Sequence, residues 1–172
     1  MKKKKILYCI ILTFFVVIII LVLLNNYMSY SMRIGGTRFF LVETMATSKE
    51  GKPLLGLYFE IRNNGGYKGV EMSGFPRIIL WNEKYLISKN YDGKDTTITN
   101  YVIINQKSVN SSDGSIADIH IFKREKDYNN YLQNIGLSES DMKTINNRIT
   151  WWELLFGSRG RFSLRECGVA IY

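Results

Sequence analysis

The nineteen residues from Ile6 to Leu24 carry no charge, and their only side-chain hydroxyls belong to Tyr8 and Thr13. As a helix, such a run rises about 28 Å at roughly 1.5 Å per residue, close to the thickness of a bilayer's hydrocarbon core. Lys2, Lys3, Lys4 and Lys5 precede it, and only Arg33 and Arg38 follow before the first acid, Glu43. The positive-inside bias predicts a single-pass inner-membrane protein, N-terminus cytoplasmic and C-terminal domain extracytoplasmic. The rival is a cleaved signal peptide with Ser29 and Ser31 as its small-residue pair, but signal-peptide apolar cores are shorter than this run. The anchor reading divides the chain into a basic tail (1–5), a transmembrane helix (6–24) partnered by the lipid bilayer, a juxtamembrane linker (25–36) and an extracytoplasmic β-rich domain (37–172).

The same segment accounts for much of what is unusual in the composition. The formal charge is +8, and Lys2 to Lys5 supply half of it. The +4 that remains, dispersed along the chain, is a solubility property and not a nucleic-acid footprint. Of the two cysteines, Cys9 lies within the apolar run and Cys167 near the C-terminus, so the outer domain has no disulfide framework. Cys167 reads as a small buried hydrophobe, with intermolecular pairing as the alternative.

Beyond the linker the apolar residues recur with a period of two, broken by turn residues every eight to twelve positions. Thr37 to Met45 is apolar on both faces, as a central or covered strand would be. Leu54 to Arg62 alternates, with Leu55, Leu57, Phe59 and Ile61 on one face. Asn63-Asn64-Gly65-Gly66 is a hairpin signal leading to Tyr67–Met72. Arg77–Trp81 turns through Asn82 and Glu83 into Lys84–Lys89, and Ile98–Gln106 and Ala117–Phe122 complete seven strands. The period then changes to 3.6: Tyr128, Tyr131, Leu132 and Ile135 form one helical stripe ending at Gly136. Ser138 and Asp141 open a second helix with Met142, Ile145, Ile149 and Trp152 on its stripe. The fold class expected is α+β: an N-terminal transmembrane helix, then a mainly antiparallel β-meander of six to eight strands packed by two C-terminal helices.

Catalytic signals are sparse. His120 is the sole histidine, and Asp118 shares its strand face at i and i+2, so a carboxylate is placed to orient the imidazole. The plainer reading is a solvated face opposite Ile119 and Ile121. Glu43, Glu60, Glu71, Glu83 and Asp92 show no local pattern of convergence, and the glycines form no nucleotide-binding fingerprint. No catalytic residue, metal ligand or cofactor is expected. Trp151, Trp152, Phe156, Arg159 and Arg161 combine aromatic area with arginines and read as an interaction patch, or as a helix end closing the core.

The run Asn82-Glu83-Lys84-Tyr85-Leu86-Ile87-Ser88-Lys89, followed by Thr99-Asn100-Tyr101-Val102-Ile103-Ile104-Asn105, resembles the K-Y-I-I-x-K and Y-x-I-I strand core of small bacterial envelope proteins. Gly36, Arg38, Phe39 and Phe40 match the Gly-aromatic strand that opens many of them, and the resemblance covers about Gly36 to Leu132. It implies an anchored envelope domain with no established activity. The second helix and the tail depart from that pattern, as does a membrane anchor in place of a lipid anchor. Three functions are compatible with these features: a non-enzymatic binding or accessory module with an envelope-protein partner, an envelope hydrolase using His120 and Asp118, and an immunity-type protective protein.

Overall fold

The computed structural model describes residues 2–28, 31–49, 51, 53–61, 66–145 and 169. Contacts divide the chain into two units, residues 1–32 with 148–161, and residues 33–147 with 162–172. The first is described mainly by helix α1 (Lys2–Met28). Its described apolar side chains, from Ile6 to Leu21, are nearly all exposed, and Thr13 Oγ1 donates to the Cys9 carbonyl at 2.9 Å.

The single-pass expectation is corrected here. Among the described residues no helix is long and apolar enough to cross a membrane. The inner-membrane localisation, with its cytoplasmic N-terminus and extracytoplasmic domain, falls with the span.

The second unit is built on antiparallel strands, but in two sheets and not one meander. The first has the order β1-β2-β3-β4, from β1 (Ser31–Arg33, of which only Arg33 falls in this unit), β2 (Phe39–Thr47), β3 (Pro53–Glu60) and β4 (Tyr67–Gly69). The second contains β5 (Phe75–Trp81), β6 (Tyr85–Tyr91), β7 (Asn100–Asn105), β8 (Ile119–Phe122) and β9 (Lys143–Thr144), in the order β8-β7-β6-β5-β9. The chain leaves the first sheet through Ser73 and Gly74, and a buried amide cluster fixes that exit. Asn90 and Asn100, on neighbouring strands, both donate from Nδ2 to the Ser73 carbonyl, at 3.1 and 2.7 Å. Asn90 Nδ2 also donates to Asn100 Oδ1 at 2.9 Å, and Ser88 Oγ donates to Asn90 Oδ1 at 2.5 Å. Gly74 has φ +74, and a Cβ there would lie 2.4 Å from the Tyr91 carbonyl oxygen, so a side chain is excluded on both counts.

Register explains the core. Phe39, Leu41, Leu55, Leu57 and Phe59 share one face of the first sheet and are almost fully buried. In the second sheet Ile79, Leu86, Val102 and Ile104 bury one face, and β3 lies against β5. Leu80, Ile87, Tyr101 and Ile103 form the opposite face and pack with Tyr128, Leu132 and Met142. Tyr128 and Leu132 belong to α2 (Glu125–Asn134), the helix anticipated by their spacing. At roughly 1.5–3 kcal/mol per large apolar side chain, these two faces dominate the domain's stability.

The expected second C-terminal helix does not form in its described part. Ser138 accepts from the Ser140 amide in a single 3-10 turn, Glu139–Asp141, and the chain then enters β9. Leu80 pairs with Thr144 and Trp81 with Lys143, so the open edge of β5 captures backbone groups that a helix would have satisfied internally. Met142 and Ile145 are buried even so. Residues 146–157, the Asn63–Gly65 part of the hairpin signal, and Cys167 lie outside the described residues. Among the described residues the fold is therefore two antiparallel sheets, nine strands, with two helices.

Candidate functional site

Four connections converge at one end of the second unit: the turn from β1 to β2, the turn from β5 to β6, the 3-10 turn Gln106–Ser108 after β7, and the 3-10 turn before β9. Each is braced. Thr37 is buried; its Oγ1 donates to the Ile34 carbonyl at 2.7 Å and accepts from the Phe39 amide at 3.1 Å. Asn82 Oδ1 accepts from the amides of Lys84 and Tyr85, at 2.9 and 2.7 Å. Gln106 ties that turn to the end of β7, because its Nε2 donates to the carbonyls of Asn82 and Tyr85 at 2.6 and 3.1 Å. Its own amide donates to the Lys84 carbonyl at 2.8 Å. Gly35 lets the first turn lie on Trp81, since a Cβ there would sit 2.5 Å from the indole Nε1.

The braced loops enclose two cavities that share Gly36, Thr37 and Gln106. One, of about 310 Å³, is lined further by Arg38, Phe39, Phe59, Lys107, Val109 and Ser111. The other, of about 420 Å³, is lined by Trp81, Asn82, Glu83, Asp141 and Lys143. Both fall in the size range of small-molecule sites. In the first cavity Arg38 is fixed over the Phe59 ring at 4.5 Å, and donates to Ser111 Oγ at 2.5 Å and to the Glu60 carbonyl at 2.6 Å.

A second polar assembly supports the groove from the α2 side. Glu139 receives a salt bridge from Lys89 Nζ at 2.8 Å and a hydrogen bond from the Tyr128 hydroxyl. Lys89 also lies over the rings of Tyr128 and Tyr101, which stack at 4.6 Å. Burial, then the hydrogen bond to Glu139, raise the Tyr128 pKa far above the ordinary phenol value. Burial also raises those of Tyr101 and Tyr131. Because Glu139 opens the turn that carries Asp141, this assembly fixes one wall of the second cavity.

Asp118 and His120 do meet: Asp118 Oδ1 is 2.9 Å from His120 Nε2, with the two side chains 40% and 41% exposed. The imidazole packs on Tyr131 at 4.4 Å, and Asp118 Oδ2 accepts from Asn105 Nδ2 at 3.0 Å. Neither residue lines the two cavities, and among the described residues no hydroxyl or thiol hydrogen-bonds the imidazole. Among the described residues the pair therefore has an orienting carboxylate but no hydrogen-bonded nucleophile. The patch residues Trp151, Trp152, Phe156, Arg159 and Arg161 lie outside the described residues. Among the described residues no cluster of His, Cys, Asp and Glu is placed to hold a metal.

Sequence reasoning placed the Asn82–Glu83 turn correctly but attached no role to it, and it gave none to Thr37, Trp81, Gln106 or Lys143. The available signal was an aromatic residue directly preceding a polar turn, Trp81-Asn82-Glu83. Comparison with known proteins finds no matching family model, no matching curated protein and no matching solved structure.

Proposed function

We propose that this domain is a non-enzymatic binding module whose ligand seats in the groove walled by Gly36, Thr37 and Gln106. The observation that carries the reading is the bracing of four separate loops around one aromatic and polar groove. Binding residues held on loops by a rigid scaffold need little reordering when a ligand arrives, so less affinity is lost to entropy.

Gly36 offers a clean test. It lines both cavities, a Cβ there meets nothing within 4 Å, and its backbone is outside the positive-φ region. Gly36→Tyr should fill the groove without strain. Amide and indole NMR shifts are followed while short peptides, oligosaccharides and nucleotides are titrated in. The expected result is saturable shifts at Thr37, Trp81 and Gln106 with at least one class, lost in Gly36→Tyr at unchanged melting temperature. Saturable shifts centred on His120 instead would overturn the reading.

A further inference from the structure

The two cavities of the groove differ in charge. The Arg38 cavity has two cations, Arg38 and Lys107, and no acid. The Trp81 cavity has two acids, Glu83 and Asp141, against one cation, Lys143. Formal charge therefore changes from +2 to −1 across the shared wall of Gly36, Thr37 and Gln106. Among the described residues Glu83, Lys107 and Lys143 make no side-chain ion pair, so their charges are not cancelled locally.

The wall between the cavities has peptide-like hydrogen-bonding character. Gln106 commits its Nε2 inward to two carbonyls, which leaves Oε1 as an acceptor with no partner among the described residues. Trp81 adds an indole beside two carboxylates, a combination suited to an ammonium group, since a ring face and a nearby anion both favour a cation. The Arg38 cavity offers a carboxylate a guanidinium held in place by Phe59 and Ser111, with the Ser111 hydroxyl nearby.

Resting on the binding-module reading, we propose that the ligand is a short peptide of opposed end charges. Its carboxylate faces Arg38 and Lys107, and its cationic group faces Glu83, Asp141 and Trp81. Complementary fields of this kind set the direction in which a ligand docks more than they set total affinity. Most of the charges involved are exposed, so each contact is worth the few-fold effect of a surface ion pair and weakens with salt.

The test uses the full chain, isothermal titration and four probes: Lys-Ala-Ala, its C-terminal amide, acetyl-norleucine-Ala-Ala, and maltotriose as a neutral sugar. Lys-Ala-Ala should bind most tightly. Amidating the carboxylate should weaken binding about three- to fivefold, as expected for an exposed ion pair, and removing both ammonium groups should weaken it at least as much. Lys107→Glu should weaken the free acid but spare the amide, and Glu83→Lys should weaken Lys-Ala-Ala but spare the norleucine peptide. Equal affinities for the three peptides, or charge-independent binding of maltotriose alone, would overturn the peptide assignment and leave the groove standing. Peptide binding unchanged in Gly36→Tyr, or no binding by any probe, would overturn the groove and the peptide assignment together.

Discussion

Two clusters flank helix α2, each pairing a basic side chain with a carboxylate beside a tyrosine, and they differ most in solvent exposure. In the first, Lys89 is 16% and Glu139 34% exposed, and the hydroxyl of buried Tyr128 adds a second bond to the same carboxylate. In the second, His120 and Asp118 are each about two-fifths exposed, with Tyr131 packed against the ring. The ion pair of the first spans two elements, β6 and the turn before β9, with α2 bonded to the same carboxylate, whereas the ion pair of the second lies within one short segment. Water competes at His120, and breaking that pair leaves both groups solvated. At Glu139, breaking the pair leaves a largely covered ammonium without its counter-charge, which is the costlier loss.

The largest effect is expected from Tyr128→Ala, which removes the stacked ring and both contacts. A loss of about 3–5 kcal/mol in urea unfolding follows from truncating a fully buried aromatic. Glu139→Gln should cost about 1–2 kcal/mol. In a double-mutant cycle with Lys89→Met, its coupling should exceed that of an Asp118→Asn and His120→Ala cycle. Equal couplings would break the contrast between the clusters. The His120 and Asp118 variants should each fall within about 0.5 kcal/mol of wild type, as exposed pairs do.

The contrast also has a pH signature. Tyr128 is held protonated in the folded state, above its ordinary value of 10.0. Its contribution is therefore complete below pH 10 and is lost as pH rises beyond that, because the unfolded chain then releases a proton the folded chain keeps. Stability measured from pH 8 to 11.5 should fall more steeply above pH 10 in wild type than in Tyr128→Phe. The smallest effect is local. Asp113 accepts from the Ser115 amide and hydroxyl, at 2.9 and 2.8 Å, and the amide bond is the largest cause of its lowered pKa. That loop contact is complete above the ordinary value of 3.8 and is lost as pH falls through the depressed one. Protection of the Ser115 amide, its exchange rate relative to the intrinsic rate at the same pH, should fall on acidification, and Asp113→Asn should remove the dependence.

Strands β2 to β8 and α2 were legible because their signals are local, whereas β1 fell in the expected linker and β9 in the expected second helix. Alternation in Leu54–Arg62 anticipates the burial of Leu55, Leu57 and Phe59, and the spacing of Tyr128 and Leu132 anticipates the buried stripe of α2. Asp118 with His120 was legible for the same reason, being two residues apart in the chain. Lys89 and Glu139 are fifty residues apart, and no period or motif connects them.

The sequence by itself determined where β2 to β8 and α2 form, because side-chain periodicity and turn chemistry act over a few residues. Tertiary structure decided the rest: the division into two sheets at Ser73, the conversion of Lys143–Thr144 from helix to strand, and the meeting of Gly36, Trp81, Gln106 and Asp141 around one groove. Each depends on which edge remains open and which loops share an end of the sheets. Those are outcomes of strand pairing, which couples residues far apart in the chain.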